Sequence, residues 1–161
     1  MDAIEVLKTR KSTRSYTDEV IDDAVLNDII ECGLKAPSAM NKQQNHITVL
    51  KDPAKVALLR EKTGHNVGYG APVLMIVHAP KSFSYEYTLK DGTCIMENLL
   101  LAAHAYGLGA VWIDMLKDFQ DEDYMQEFGI EDANIVGTVA LGHASGESPV
   151  KERDLSRVTI L

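Results

Sequence analysis

The spacing of apolar residues along the chain predicts an α+β fold. Val25, Leu26, Ile29 and Ile30 recur at the three- and four-residue intervals of a helix with one buried face. In contrast, the segment APVLMIVHAP is short, rich in β-branched residues and bounded by prolines, which is typical of a buried strand. The same patterns predict helices over about 2–9, 22–34, 53–64, 93–106 and 120–129, and strands over about 46–50, 71–80, 110–116 and 134–143.

Length and composition predict a single domain that covers residues 1–161. Of the 161 residues, 45% are hydrophobic and 25% are charged, which is an ordinary balance for a globular protein. The sequence contains no internal repeat, low-complexity segment or linker. The tail over about 145–161 is polar and basic before it ends in the apolar VTIL, so we expect it to pack outside the chain's own core.

The charge balance argues against nucleic acid and membrane partners. The chain has 16 Lys and Arg, 24 Asp and Glu, and a formal net charge of −8, so it offers no broad basic surface. Its first residues lack the apolar segment of a signal peptide, and its longest apolar stretch is too short to span a bilayer. Cys32 and Cys94 form no ligand-like pair and are expected to be reduced core residues. We therefore expect a cytoplasmic protein.

Against this acidic background, a basic cluster follows the first predicted helix. The cluster is RKSTR, residues 10–14, in which guanidinium forks and a serine hydroxyl could donate to a phosphate. Two interpretations remain open here, a solvated basic turn and an anion site. A second basic pair, Lys151 and Arg153, lies in the tail, and sequence separation alone does not decide whether the two clusters converge.

Two further segments are candidates for holding a planar ring. APSAMNKQQ, residues 36–44, supplies hydroxyl and amide groups that can recognise the polar edge of a heterocycle. GLGAVWIDML, residues 107–116, has two glycines that permit a close backbone approach, while Trp112 and Met115 could cover an apolar ring. The structural alternatives are a plain turn for residues 36–44, and for residues 107–116 a helix cap with a core Trp112, which such a sequence most often forms.

No side chain is a candidate nucleophile, general acid or metal ligand. The chain has no G-x-x-x-x-G-K-[ST] loop, no H-E-x-x-H and no G-x-S-x-G motif. Its five histidines never occur at metal-ligand spacing, and Cys94 lies in an apolar predicted helix. The sequence therefore assigns no catalytic residue and no metal.

The order of these segments resembles the FMN-dependent nitroreductase family. The chain carries R-x-S-x-R-x-[FY], then A-P-S-x-x-N-x-Q, then N-L-L-L-A-A-x-x-x-G-L-G-x-x-W, then a strand ending L-G-H and a basic tail. The resemblance extends from residue 7 to about residue 157. It implies an α+β fold with a mixed central sheet flanked by helices. It also implies an intertwined homodimer in which both subunits build each of two FMN sites.

The resemblance further implies which residues hold the cofactor. Arg10 and Ser12 would contact the phosphate, and Arg14 would lie nearer the pyrimidine end of the ring. The implied set is Arg10, Lys11, Ser12 and Arg14 in the first segment, Pro37, Ser38, Asn41 and Gln43 contributed by the other subunit, Ile113, Asp114 and Met115 beside the reactive nitrogen, and Lys151 and Arg153 as a phosphate clamp. No flavin contact is assigned between Asn66 and Gly70, and Gln43–Asn45 replaces the Q-P-W that family members often carry.

The implied activity is electron transfer from NADH or NADPH, through FMN, to a small organic acceptor of the nitroaromatic or quinone type. The implied kinetic mechanism is ping-pong, with Arg14 stabilising negative charge on the reduced flavin. Two alternatives are an FMN storage, delivery or sensor protein with little turnover, and an enzyme of the same scaffold that acts on another acceptor. The final RVTIL is expected to add an edge strand to the partner's sheet.

Overall fold

In the computed structural model of the chain, residues 1–149 and 152–161 are described, so the predicted phosphate contact Lys151 lies outside the described residues. The described helices and strands, in chain order, are α1 (Ala3–Thr9), α2 (Asp23–Leu34), β1 (His46–Leu50), α3 (Pro53–Thr63), β2 (Val73–Pro80), α4 (Tyr85–Ala105), β3 (Gly109–Ile113) and β4 (Ala133–Gly142). Short 3-10 turns lie at Ala39–Asn41, Val67–Gly70, Met115–Phe119, Asp123–Phe128 and Leu155–Arg157. The helix predicted over about 120–129 is therefore wrong, because that segment forms the 3-10 turn Asp123–Phe128. The predicted α+β class is confirmed.

Helix α4 begins at Tyr85, whereas the sequence predicted a start near residue 93. Its first turns bury Thr88, Asp91 and Gly92 in place of apolar side chains. Gly92 allows the helix to approach the sheet closely, since a Cβ there would lie 2.7 Å from Val136 Cγ2. These small and polar residues produce no apolar periodicity, which is why the predicted helix was too short.

The strands form one sheet in the order β1-β2-β4-β3, and all neighbouring strands pair antiparallel. A β-bulge interrupts the pairing of β2 with β4 between Val77 and His78. Outside these strands, Ser12 forms an isolated parallel bridge with Ala110 of β3. The resemblance implied a mixed sheet, with both parallel and antiparallel pairs. Among the described residues, this bridge is the one parallel pairing.

Apolar layers cover both faces of the sheet. On one face, α2 and α4 pack against Val73, Met75, Val77 and Val139. On the other face, α3 and the 3-10 turns after β3 pack against alternate residues of the same strands, including Leu74 and Ile76. This division follows from the period-two alternation of side chains along a strand.

The outer face of α4 is exposed. The expectation that Cys94 is a core residue is wrong, because it shares this face with Lys90 and Glu97, three or four residues away, which places all three on one side of a helix. Cys32 is only half-buried. No helix among the described residues is both long enough and apolar enough to cross a bilayer.

The described part of the tail adds nothing to either apolar layer. Its apolar side chains are exposed, and they are Leu155, Val158, Ile160 and Leu161. This agrees with the expectation that the tail does not pack in the chain's own core.

One histidine is buried in the sheet beside a second. His78 on β2 is 8% exposed, and its Nε2 lies 3.0 Å from Thr48 Oγ1 of β1. Its ring stacks on His46 with centroids 5.8 Å apart. Burial, and then the positive charge of His46, lower the pKa of His78 to about 4.

We predict that His78 makes the fold sensitive to mild acid. Its folded pKa lies below the ordinary value of 6.5, so the unfolded chain binds more protons as pH falls from 6.5 towards 4, and stability is lost across that window. The loss at pH 5 should be about 2 kcal/mol. Denaturant unfolding at neutral pH and at pH 5 should show that loss in the wild type and most of it abolished in His78→Gln. Equal acid sensitivity in both proteins would contradict this account.

Candidate functional site

The basic segment, residues 10–16, is fixed along one end of the sheet. It leaves helix α1 at Arg10, and Thr13 N donates to Ala110 O of β3 at 2.9 Å. Further along, Ser15 O accepts from Ser145 N at 3.1 Å, just beyond the end of β4. The segment therefore crosses from the start of β3 to the end of β4.

Two paired glycines make room for this crossing. Gly109 of β3 and Gly142 of β4 are partners in the sheet register. A Cβ at Gly109 would lie 2.6 Å from Thr13 Cγ2, and a Cβ at Gly142 would lie 2.9 Å from Tyr16 Cδ1. Neither distance is compatible with a side chain, so Gly109 permits the close approach of the basic segment, while the approach of this strand to a planar ring stays a prediction.

The partly buried side chain of Tyr16 holds the basic segment against β4. Its hydroxyl donates to Thr13 O at 2.6 Å, and Ala140 O of β4 lies 3.4 Å away. Burial raises the pKa of Tyr16, with Arg14 opposing the rise, so the phenol keeps its proton and remains a donor. Tyr16 is the last residue of the R-x-S-x-R-x-[FY] motif and was not among the predicted site residues.

Most of the positively charged side chains of the basic segment have no ion-pair partner among the described residues. Among the described residues, its one ion pair is the 3.9 Å contact between Arg10 Nε and Glu97 Oε1. Lys11 and Arg14 form no ion pair with any described residue, although the Arg14 guanidinium lies 5.8 Å from the ring centroid of Tyr69. In a chain with net charge −8, these cations are available to an anion.

His104 at the end of α4 lies in the field of these cations. Thr9 Oγ1 donates to Glu5 O at 2.7 Å and lies 2.8 Å from His104 Nε2, so the imidazole is best placed to donate to it. Burial, and then repulsion from Arg10 and Lys11, lower the pKa of His104. No local sequence pattern indicates this contact, because residues 9 and 104 are distant along the chain.

The polar turn, residues 37–43, has a strained backbone. Met40, Asn41 and Gln43 all have positive φ angles of 51–54°, which are unfavourable for residues other than glycine. Ser38 Oγ accepts from Gln43 N at 3.0 Å, and Gln43 Nε2 donates to Asn41 Oδ1 at 3.0 Å.

The polar turn is attached to α4 and is separate from the basic segment. Ala39 N donates to the carboxylate of Asp91, with both oxygens 3.0 Å away. Pro37, Asn41 and Gln43 are exposed. No hydrogen bond or ion pair joins this turn to residues 10–16 within the described part of the chain. The predicted turn residues therefore form a second surface.

The end of β3 provides the third predicted segment. Trp112 Nε1 donates to Asp114 Oδ1 at 2.8 Å, and Lys117 Nζ lies 3.4 Å from the same oxygen. Ile113 is half-buried and Met115 is exposed. Ile113 follows Ala110, the neighbour of Ser12, by three residues, or about 10 Å along a strand. The structure thus places the basic segment beside the start of β3, and Ile113–Met115 at the end of β3 and in the turn that follows it.

The second basic cluster does not reach this site within the described residues. Arg153 is exposed and makes no ion pair with a described residue. Its convergence with Arg10 stays a prediction, as does that of Lys151, which lies outside the described residues.

Comparisons with known proteins agree with this geometry. The profile of the Nitroreductase family matches residues 7–67 and 55–143. A protein of Archaeoglobus fulgidus, named as a candidate NADH dehydrogenase/NAD(P)H nitroreductase, is 28% identical over 159 residues, covering 95% of this chain and 91% of its own. A protein of Methanothermobacter thermautotrophicus with the same name is 33% identical over 70% of this chain and 60% of its own.

Solved structures show the same fold over the whole chain. A nitroreductase with bound FMN from Bacteroides fragilis superposes with a TM-score of 0.89 at 26% identity, covering 100% of both chains. A candidate nitroreductase in complex with FMN from Desulfovibrio desulfuricans gives a TM-score of 0.84 at 25% identity, covering 98% of this chain and 95% of that one. With the family profile spanning most of its length, the chain belongs to the nitroreductase family.

Proposed function

We propose that this chain is an FMN-dependent oxidoreductase that takes electrons from NADH or NADPH and passes them to a small nitroaromatic- or quinone-like acceptor. The main support for this proposal is the basic segment, which is packed on the paired glycines of an acidic chain. Among the described residues, Lys11 and Arg14 have no ion-pair partner, and Arg10 has only a long one. The bound FMN of the Bacteroides fragilis structure and the NAD(P)H in the names of the archaeal relatives support the same cofactor and donor.

The residues present suit the phosphate of FMN. Arg10 and Lys11 supply positive charge, and the Ser12 hydroxyl supplies a donor beside them. The contact of Arg10 with Glu97 is a long pair between partly exposed groups, which stabilises little and can be exchanged for a dianion. The lowered pKa of His104 is consistent with positive potential at this place. We propose that Lys151 and Arg153 add to the same phosphate site.

The ring end of the cofactor would lie along β3. Arg14 would face the pyrimidine end, and the backbone of Ile113–Met115 would pass the reactive nitrogen. When bound, FMN supplies the two-electron chemistry that links the nicotinamide to the acceptor. The chain's own contribution is to fix the ring and to place the charge of Arg14 before reaction. Because donor and acceptor would occupy one exposed ring face in turn, we expect ping-pong kinetics.

We also propose that the protein is a single-domain homodimer in which the polar turn completes the site of the other subunit. Asn41 and Gln43 present strained, exposed groups that the described chain leaves without contact to its own basic segment. The exposed apolar residues of the tail, at 155–161, are suited to packing on a second copy. We propose that the last residues add an edge strand to the partner's sheet.

Anaerobic reduction tests the proposed activity. Protein reconstituted with FMN and freed of excess cofactor should lose its visible flavin absorbance rapidly with NADH or NADPH. Addition of a small quinone should restore the absorbance, and steady-state data should give parallel double-reciprocal lines. Free FMN at the same concentration serves as the control. Retention of FMN with reduction no faster than in that control would contradict the enzyme and favour a storage or sensor protein.

Sedimentation velocity tests the shared site. The protein should sediment as one species of about twice its 17.7 kDa chain mass. On dilution, FMN should dissociate over the same concentration range as the subunits, because each site needs both of them. A species of one chain mass that keeps the full FMN affinity would contradict the shared site.

A further inference from the structure

The loop at residues 66–70 has an unusual backbone. Gly68, Tyr69 and Gly70 have consecutive positive φ angles of 78°, 55° and 83°. Glycine adopts this conformation freely, but tyrosine does so only at a cost in free energy. Among the described residues, five other than glycine have positive φ, and three of those five lie in the polar turn already placed in the proposed site. A backbone conformation with this cost is retained only where contacts with the surrounding structure compensate for it.

The side chain of Arg60 is hydrogen-bonded to both ends of this loop. Its Nε donates to Val67 O at 3.1 Å, and its Nη2 donates to Ala71 O at 2.8 Å, so both ends of the loop are tied to one guanidinium. Gly68 packs against the sheet, since a Cβ there would lie 2.5 Å from Leu74 Cδ2. The main chain of Tyr69 is therefore fixed on both sides.

The Tyr69 ring projects from this fixed loop next to Arg14. The side chain is 44% exposed, and the Arg14 guanidinium carbon lies 5.8 Å from the ring centroid. That distance is within the range of a cation–π interaction. Because Arg14 forms no ion pair with a described residue, the Tyr69 ring is the described group that restrains its guanidinium.

We propose that Tyr69 is a positioning residue, which holds the Arg14 guanidinium at the pyrimidine end of FMN. This inference rests on the proposed function. A long, exposed arginine otherwise samples many rotamers, and a charge acts most strongly when it is ordered before the reaction. Tyr69 thus acts through Arg14 on the added negative charge of the reduced cofactor, and less on the oxidised form.

Tyr69→Asn removes the ring but keeps the loop. Asparagine tolerates the left-handed conformation better than tyrosine, so the melting temperature should stay the same or rise. Loss of the cation–π contact should weaken binding of reduced FMN about two- to fivefold. A fivefold loss confined to the reduced form lowers the two-electron midpoint potential by about 20 mV. Tyr69→Phe keeps the ring face and should retain the potential of the wild type.

A double-mutant cycle separates the role through Arg14 from other roles. In an Arg14→Ala background, Tyr69→Asn should cause no further change in potential or affinity. Tyr106→Leu, which alters an equally exposed tyrosine bonded to Asp28, is the matched control and should leave the potential unchanged.

Three outcomes would overturn the inference. The first is an unchanged potential in Tyr69→Asn, and the second is the same decrease with and without Arg14. The third is an equal decrease in Tyr69→Phe, which would point to the hydroxyl and away from the ring face. Wild-type protein that binds no FMN would overturn the proposed function itself, and this inference with it.

Discussion

The packing of Thr13 and Tyr16 over Gly109 and Gly142 is the contact on which the proposed site depends. These glycines face each other on adjacent strands, and neither has a side chain. They therefore leave a space at one end of the sheet. The basic segment fills that space, and its backbone bonds to β3 and to the chain beyond β4. A Cβ at either glycine would displace the segment, together with the cations that it carries.

The fixed segment explains how an acidic chain can hold an anion. Among the described residues, the one ion pair of these cations is the long contact of Arg10 with Glu97. Concentrating positive charge costs free energy in the absence of a ligand, and repulsion from Arg10 and Lys11 adds to burial, the larger cause, in lowering the pKa of His104. A phosphate dianion would relieve this repulsion, so ligand binding and segment order should stabilise each other.

Local patterns predicted most of the fold. The sequence patterns located all four α-helices and all four strands, but the helix predicted over about 120–129 is a 3-10 turn at Asp123–Phe128. The predicted start of α4 and the predicted burial of Cys94 were wrong for the same reason. Apolar periodicity does not indicate which small or polar residues of a helix are buried. Helix α4 starts earlier than predicted because it buries Thr88 and Asp91, and Cys94 is exposed on its outer face.

The candidate site was predictable only in part. The order of motifs predicts Arg10 and Ser12 as phosphate contacts, which stays a prediction. Gly109 was expected to allow a close approach, but its partner Gly142 depends on strand register. Tyr69 is a non-local neighbour of Arg14, and its strained φ is a property of the folded backbone that no local pattern reveals. The contacts that we propose with a second copy of the chain are likewise absent from the apolar pattern of one chain.

The most direct test of this account compares FMN with riboflavin, which has the same ring system but lacks the phosphate. Isothermal titration calorimetry should show FMN binding to the wild type at least about 100-fold more tightly, as expected for several charge-assisted bonds to one phosphate. In Gly109→Val, which displaces Thr13 and the basic segment with it, most of that preference for FMN over riboflavin should be lost. Equal affinity of the wild type for the two ligands would contradict the central claim, because the basic segment would then not be a phosphate site.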